Sequence, residues 1–221
     1  MTGTSFRLGA IAATLAIATT LSTLSGCAAI VVGGAVVGGT LMATDRRSSG
    51  TQVDDQTIEL KAGGRIKEAI GDRGHINVTS YNRIALITGE VPTEADRVAV
   101  EQAIARIDNV RSTVNELMVG FSSSLTARSN DTLVSTKVKA TLVDAGDVSA
   151  SAFKIVTERN IVYLMGRVTE AEASRAVDLT SRISGVQKVV RVFEIVTPAE
   201  LATLQPLGPP TNTAKPASNK P

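Results

Sequence analysis

The chain has 221 residues, 23 basic and 21 acidic side chains, and a formal net charge of +2. That balance excludes the broad positive field of a general nucleic-acid binder, and no Trp with only two Tyr and four Phe leaves few platforms for stacking bases. A single Cys and a single His exclude an internal disulfide and any Cys/His cluster of the zinc-finger kind.

Residues 1–7 carry one cation beside the amino terminus, and residues 8–24 are uncharged and mostly small or aliphatic. This is the order of a secretory signal, an n-region followed by an apolar h-region. The run ends in Leu24-Ser25-Gly26-Cys27, which resembles a bacterial lipobox. Small residues at Ser25 and Gly26 let the backbone enter a peptidase cleft, and the Cys27 thiol is the only side chain here that can take a thioether-linked lipid. Residues 1–26 are therefore expected to be a signal peptide, with Cys27 as the lipidated first residue of the mature chain. Ala28 rather than Asp follows the cysteine, and among lipoproteins of this type that implies the periplasmic face of the outer membrane. One acyl chain holds a protein only marginally and two suffice, so such an anchor is firm.

Residues 28–43, AAIVVGGAVVGGTLMA, are apolar and end at Asp45-Arg46-Arg47. The run is short against the roughly 20 residues of a spanning helix, and its glycines lower helix propensity. Gly34 and Gly38 form a G-x-x-x-G pattern, which permits close helix approach. The stretch is read as a tether, and the polar residues 48–56 as a linker; tether and linker together occupy residues 27–53.

The rest of the chain holds a duplication. Residues 76–91, INVTSYNRIALITGEV, align with residues 153–168, FKIVTERNIVYLMGRV. Each has apolar residues at period two on either side of a short polar turn, the pattern of a β-hairpin. Each second strand ends at a glycine, Gly89 or Gly166, expected to relieve a strained turn or admit a helix. A helix follows each hairpin, opening at Thr93-Glu94 or Thr169-Glu170, a hydroxyl residue before acids. Asn109 and Gly185 occupy the same place after these helices, where a left-handed residue ends the turn. Third strands are expected over 110–119 and 186–196. Helices are also expected before each hairpin, over 54–70 and 130–142, with Asp55 and Asp131 as candidate caps.

The predicted fold class is α+β: two tandem αββαβ domains, each a small three-stranded sheet with two helices on one face. They span residues 54–122 and 123–196. A domain of about 60 residues is marginal alone, so the copies are expected to support each other, although the sequence does not show how they dock. Six of the seven prolines lie at or after Pro198, so residues 197–221 read as a disordered, Pro-rich tail with at most a short helical turn at 198–204.

The unit order and the strand ends LITGEV and LMGRV resemble BON domains. Taken with the lipobox, the Gly-rich stretch, DDQT, INVTSY and TKVKATL, residues 27–196 resemble the dual BON-domain outer-membrane lipoproteins. That resemblance implies a role in outer-membrane integrity and phospholipid contact by the domains, the second meeting anionic lipid. On the helix through Asn130, Val134, Val138 and Leu142 share one face and should point to the core. Leu133 lies about 100° from that stripe, with Lys137 one turn on. A leucine there can enter the acyl boundary while the ammonium pairs with phosphate; Arg128 and Lys139 are candidate contributors of charge. Such lipoproteins can carry an aromatic at the place of Leu133, and leucine lacks the ring that favours the interface. Two alternatives stay open: Leu133 packs against the first domain, or it is merely exposed.

The functional expectation is a non-enzymatic lipoprotein that binds membrane phospholipid. A scaffold for envelope protein partners in outer-membrane assembly or cell-wall remodelling is the alternative. No catalytic residues, cofactor or metal are expected: His75 has no Cys or second His nearby, and no phosphate loop is present. The sequence carries no signal for oligomeric state.

Overall fold

Two helix–strand–strand–helix–strand units follow one another in the computed structural model, which describes residues 45–204. The expected signal peptide, Cys27, the Gly-rich tether and the tail beyond Leu204 lie outside the described residues. The first unit is α1 (Ser49–Ile70), β1 (His75–Tyr81), β2 (Ile84–Val91), α2 (Glu94–Ala105) and β3 (Ser112–Val119). The second is α3 (Leu125–Ala145), a 3-10 turn at Ala150–Ala152, β4 (Phe153–Glu158), β5 (Ile161–Val168), α4 (Glu170–Ser181) and β6 (Lys188–Ile195), followed by the short α5 (Pro198–Leu204).

Each sheet has three strands. β2 lies between antiparallel β1 and parallel β3, and β5 between antiparallel β4 and parallel β6. A two-residue hairpin supplies each antiparallel pair; a crossover helix supplies each parallel pair. The hairpin residues Asn82 and Arg83, and Arg159 and Asn160, all have positive φ, the geometry that suits the twist of tight hairpins.

Asp55 and Asp131 do not cap helices. α1 begins upstream of Asp54, within the segment expected to be a linker, and Ser48 caps it by accepting from Thr51 N at 3.2 Å. α3 begins upstream of Asn130, capped by Ser124, which accepts from Ala127 N at 3.2 Å. Both first turns lack apolar periodicity, so only the serines marked them. The two aspartates sit well inside their helices and are buried. There they bind the hairpin turns instead. Asp55 accepts from Asn82 N and Arg83 N at 2.8 and 2.7 Å; Asp131 accepts from Arg159 N and Asn160 N at 2.9 and 2.8 Å. The crossover helices start as expected, with Thr93 accepting from Asp96 N and a reciprocal capping box between Thr169 and Glu172.

Three apolar clusters hold the fold. Ile58 and Ala62 of α1 and Val100 and Ile104 of α2 pack on Ala85, Ile87 and Val91 of β2. Val134, Val138 and Leu142 of α3, the stripe read from the sequence, pack with Ala173 and Ala176 of α4 on Phe153, Val162 and Leu164. The third cluster joins the domains: Tyr81 and Leu86 of the first meet Tyr163, Met165 and Val192 of the second. Successive strand residues point to opposite faces, so these are the helix-free faces of the two sheets. β2 and β5 are buried on both faces, which is why they read as near-continuous apolar runs.

Gly89 and Gly166 answer to a different demand from the turn or helix contact expected of them. They lie in the central strands, paired with Ile76 and Phe153 of the edge strands. A Cβ on Gly89 would fall 2.0 Å from the His75 carbonyl oxygen, and one on Gly166 would fall 2.5 Å from that of Ala152. It is the backbone entering the edge strand that crowds them. Gly185 (φ +101) and Asn109 (φ 69) adopt the left-handed conformation after their helices, and a Cβ on Gly185 would also press on Val134 Cγ2 at 3.0 Å.

Candidate functional site

The outer surface of α3 is where the expected lipid contacts fall. With Val134, Val138 and Leu142 turned into the core, Leu133 is left 62% exposed. It packs neither into its own core nor into the domain junction. Lys137 is exposed one turn on. Two further apolar side chains share this side of the helix, Leu125 at 78% and Val143 at 58% exposure. At 100° per residue they lie about 80° to one side of Leu133, and Lys137 about 40° to the other.

The hydroxyl residues between them are not fully polar toward solvent. Ser129 Oγ donates to the Leu125 carbonyl at 3.0 Å, Thr132 Oγ1 to Arg128 at 3.1 Å, and Thr136 Oγ1 to Thr132 at 2.9 Å. Back-bonding of this kind spends the hydroxyl donor on the helix itself. The strip 125, 129, 133, 136, 140, 143 therefore presents Leu, Ser, Leu, Thr, Ala and Val without a formal charge. Leu125 and Val143 escaped the sequence reading, although steps of three and four from Leu133 mark them.

The other two candidate cations are placed elsewhere. Arg128 turns away from the Leu133 strip: its guanidinium donates to the Ser123 carbonyl at 3.0 Å and lines a polar cleft with His75, Asp131 and Glu158. At 100° per residue it lies about 140° around the helix from Leu133, so its charge is directed to this cleft rather than to the strip. Lys139 Nζ donates to the Ala150 carbonyl at 2.6 Å, and burial pushes its pKa down. It stands at the rim of an open groove of about 720 Å³ between α3 and the edge strand β4, floored by Ala140, Val143, Phe153 and Ile155. The structure thus brings Leu133 and Lys137 together, sets Lys139 on the flank against the Ala150 carbonyl, and turns Arg128 to the cleft.

The domain junction is the other concentration of polar chemistry. Lys154 Nζ donates to Glu59 at 2.7 Å, Asn82 Nδ2 to Glu194 at 2.6 Å, and Arg111 to Glu194 at 2.8 Å. Burial pushes Glu194 up, but its bonds from Arg111 and Asn82 outweigh that and hold it below the usual carboxylate range. The donor atoms of His75, Glu90 and Glu158 gather within 4.8 Å of one another at the same junction.

The start of the described chain is bound into this junction rather than loose. Arg46 is 7% exposed and grips Glu172 of the second domain with two bonds, at 2.6 and 2.9 Å, and the Arg167 carbonyl at 2.9 Å. Arg47 turns the other way, to Asp55 at 2.8 Å and over the Tyr81 ring at 4.3 Å. Desolvation raises Glu172, yet the Arg46 fork and the Thr169 amide leave it lowered overall. Among the described residues, no helix is long and apolar enough to cross a membrane.

The chain matches the BON domain family at residues 54–120 and again at 130–197. It is 36% identical over 173 residues to the outer membrane lipoprotein DolP of Haemophilus influenzae, covering 77% of this chain and 89% of that one. It is 31% identical over 154 residues to the 21 kDa hemolysin of Actinobacillus pleuropneumoniae, covering 69% and 79%. Among solved structures it resembles CdsD, a structural protein of the type III secretion system of Chlamydia trachomatis, over 67% of this chain and 99% of that one, at 12% identity and a TM-score of 0.27; nothing is argued from a likeness that low. Each matched segment contains both strands of one hairpin, its crossover helix and its third strand, and the chain accordingly belongs to the BON family, as a dual BON-domain protein of the DolP type.

Proposed function

We propose that this protein is a non-enzymatic lipoprotein of the outer membrane, on its periplasmic face, whose second BON domain contacts anionic phospholipid through the outer side of α3. The observation that carries the reading is the uncharged strip centred on exposed Leu133 with Lys137 beside it. Burying a leucine side chain stabilises by roughly 1.5–3 kcal/mol, and a lysine near an anionic surface adds about 1 kcal/mol. Each is weak alone. Together they give reversible contact, which a covalent anchor reinforces by raising the effective concentration of the domain at the bilayer. The lipobox-like run ending at Cys27 and the similarity to the outer membrane lipoprotein of Haemophilus both support the location.

Leu133→Glu in the processed chain carrying Cys27→Ser is expected to weaken binding to phosphatidylglycerol vesicles at least tenfold in a flotation assay. Wild-type binding should also fall steeply with salt. Unchanged binding in the variant would place the contact elsewhere. For the anchor, fatty-acid labelling in cells is expected to vanish in Cys27→Ser, and a labelled variant would sink the lipidation reading.

The scaffold reading draws on Phe121, which stands 97% exposed in the connection between the domains. A protein crosslinked there, with no vesicle binding by the processed chain, would replace the lipid reading.

A further inference from the structure

His75 opens β1, Glu90 lies opposite it in β2, and Glu158 closes β4 of the other domain. The fold brings them to one point of the junction. Glu90 is fully buried, and its Oε2 has no hydrogen-bond partner; neither has the buried Nδ1 of His75. These two atoms are 3.5 Å apart. Glu158 is 7% exposed. A buried carboxylate oxygen left without a partner is costly, and two orphaned donor-capable atoms facing each other point to something that binds both.

We propose that His75 Nδ1, Glu90 Oε2 and a carboxylate oxygen of Glu158 form a divalent-cation site, of a chemistry that suits zinc. Two tetrahedral ligands each about 2.0–2.1 Å from zinc are about 3.3 Å apart, close to the observed His75–Glu90 separation. The third donor lies within 4.8 Å of the other two, so a side-chain adjustment closes the set and leaves a fourth position for water. The outer contacts have the form such sites use. Asn77 Nδ2 holds Glu158 Oε2 at 3.1 Å, and Arg159 Nη1 reaches Glu90 Oε1 at 3.4 Å. Each carboxylate is thus oriented through one oxygen, and Glu90 Oε2 is left to ligate.

The charges around the point favour a dication. Glu90, Glu158 and Asp131 oppose Arg128 and Arg159, so the pocket is negative by one unit before His75 is counted. Because the ligands come from both domains, a bound ion clamps the junction independently of any lipid contact.

The test uses the full processed, tag-free chain in detergent, stripped with chelator and titrated with zinc alone by calorimetry. Expected are one zinc per chain, a higher Tm with zinc, and affinity at least tenfold weaker in both His75→Gln and Glu158→Gln. The metal-free Tm of each variant serves as its folding control, and the more exposed His75 gives the milder change. No heat and no Tm rise with zinc would overturn the proposal, as would the same stoichiometry and affinity in both variants.

Discussion

Asp55→Ala is expected to cost about 3–5 kcal/mol, the range for breaking a buried charged pair by removing one partner. The carboxylate accepts four bonds: from the Asn82 and Arg83 amides, the Ser80 hydroxyl at 2.7 Å and the Arg47 guanidinium at 2.8 Å. Truncation strands the two turn amides and the Ser80 hydroxyl, while Arg47 keeps Asp45 at 2.7 Å. Two of them belong to a turn whose residues have φ of 51 and 65, a conformation that non-glycine residues hold only when their surroundings enforce it. The repeat supplies an internal control. Asp131 accepts the equivalent two amides, and among the described residues neither a serine nor an arginine joins them. Asp131→Ala is therefore expected to cost less, about 1–3 kcal/mol for the orphaned amides. Thermal and denaturant unfolding of the two variants checks the order. Equal losses, or a loss under 1 kcal/mol at Asp55, would show that the turns hold without the helix carboxylates.

Gly89→Ala is expected to prevent the first domain from folding. The new methyl would sit 2.0 Å from the His75 carbonyl oxygen, at a backbone φ of +113 that an L side chain rarely adopts. The obstacle is backbone, so no rotamer relieves it. Losses above 4–5 kcal/mol belong to a short list of mechanisms that includes strain at a special φ, and a domain commands only about 5–15 kcal/mol in all. Gly166→Ala meets the Ala152 carbonyl at 2.5 Å without the positive φ, and its loss should be smaller though still severe. Circular dichroism melts and soluble yield measure both. A Gly89→Ala protein melting within a few degrees of wild type would refute the crowding argument. Because His75 is the crowded residue, the same variant should abolish zinc binding as well.

Much of this protein was legible in residue order. Period-two apolar residues around Asn82-Arg83 and Arg159-Asn160 announced the hairpins, and the Val134, Val138, Leu142 spacing announced the core face of α3. The duplication turned each such reading into two, which is why the αββαβ order and the left-handed residues after the crossover helices could be stated from the chain alone. These are local properties: a turn, a cap or a helix face depends on residues within a few positions of one another.

What only the tertiary structure decided depends on residues far apart in the chain. Asp55 and Asp131 look like helix caps until the helix is laid across the hairpin and their carboxylates meet the turn amides. The glycines are explained by a carbonyl in a neighbouring strand. The two domains dock through their helix-free sheet faces, a choice hidden in β2 and β5 because burial on both sides erases the alternation that would have marked one face as inner. His75, solitary in the sequence, gains Glu90 by strand register and Glu158 by domain docking. Periodicity reports which face of an element is buried; it carries no record of what that face is buried against, and the junction of this protein is made of such encounters.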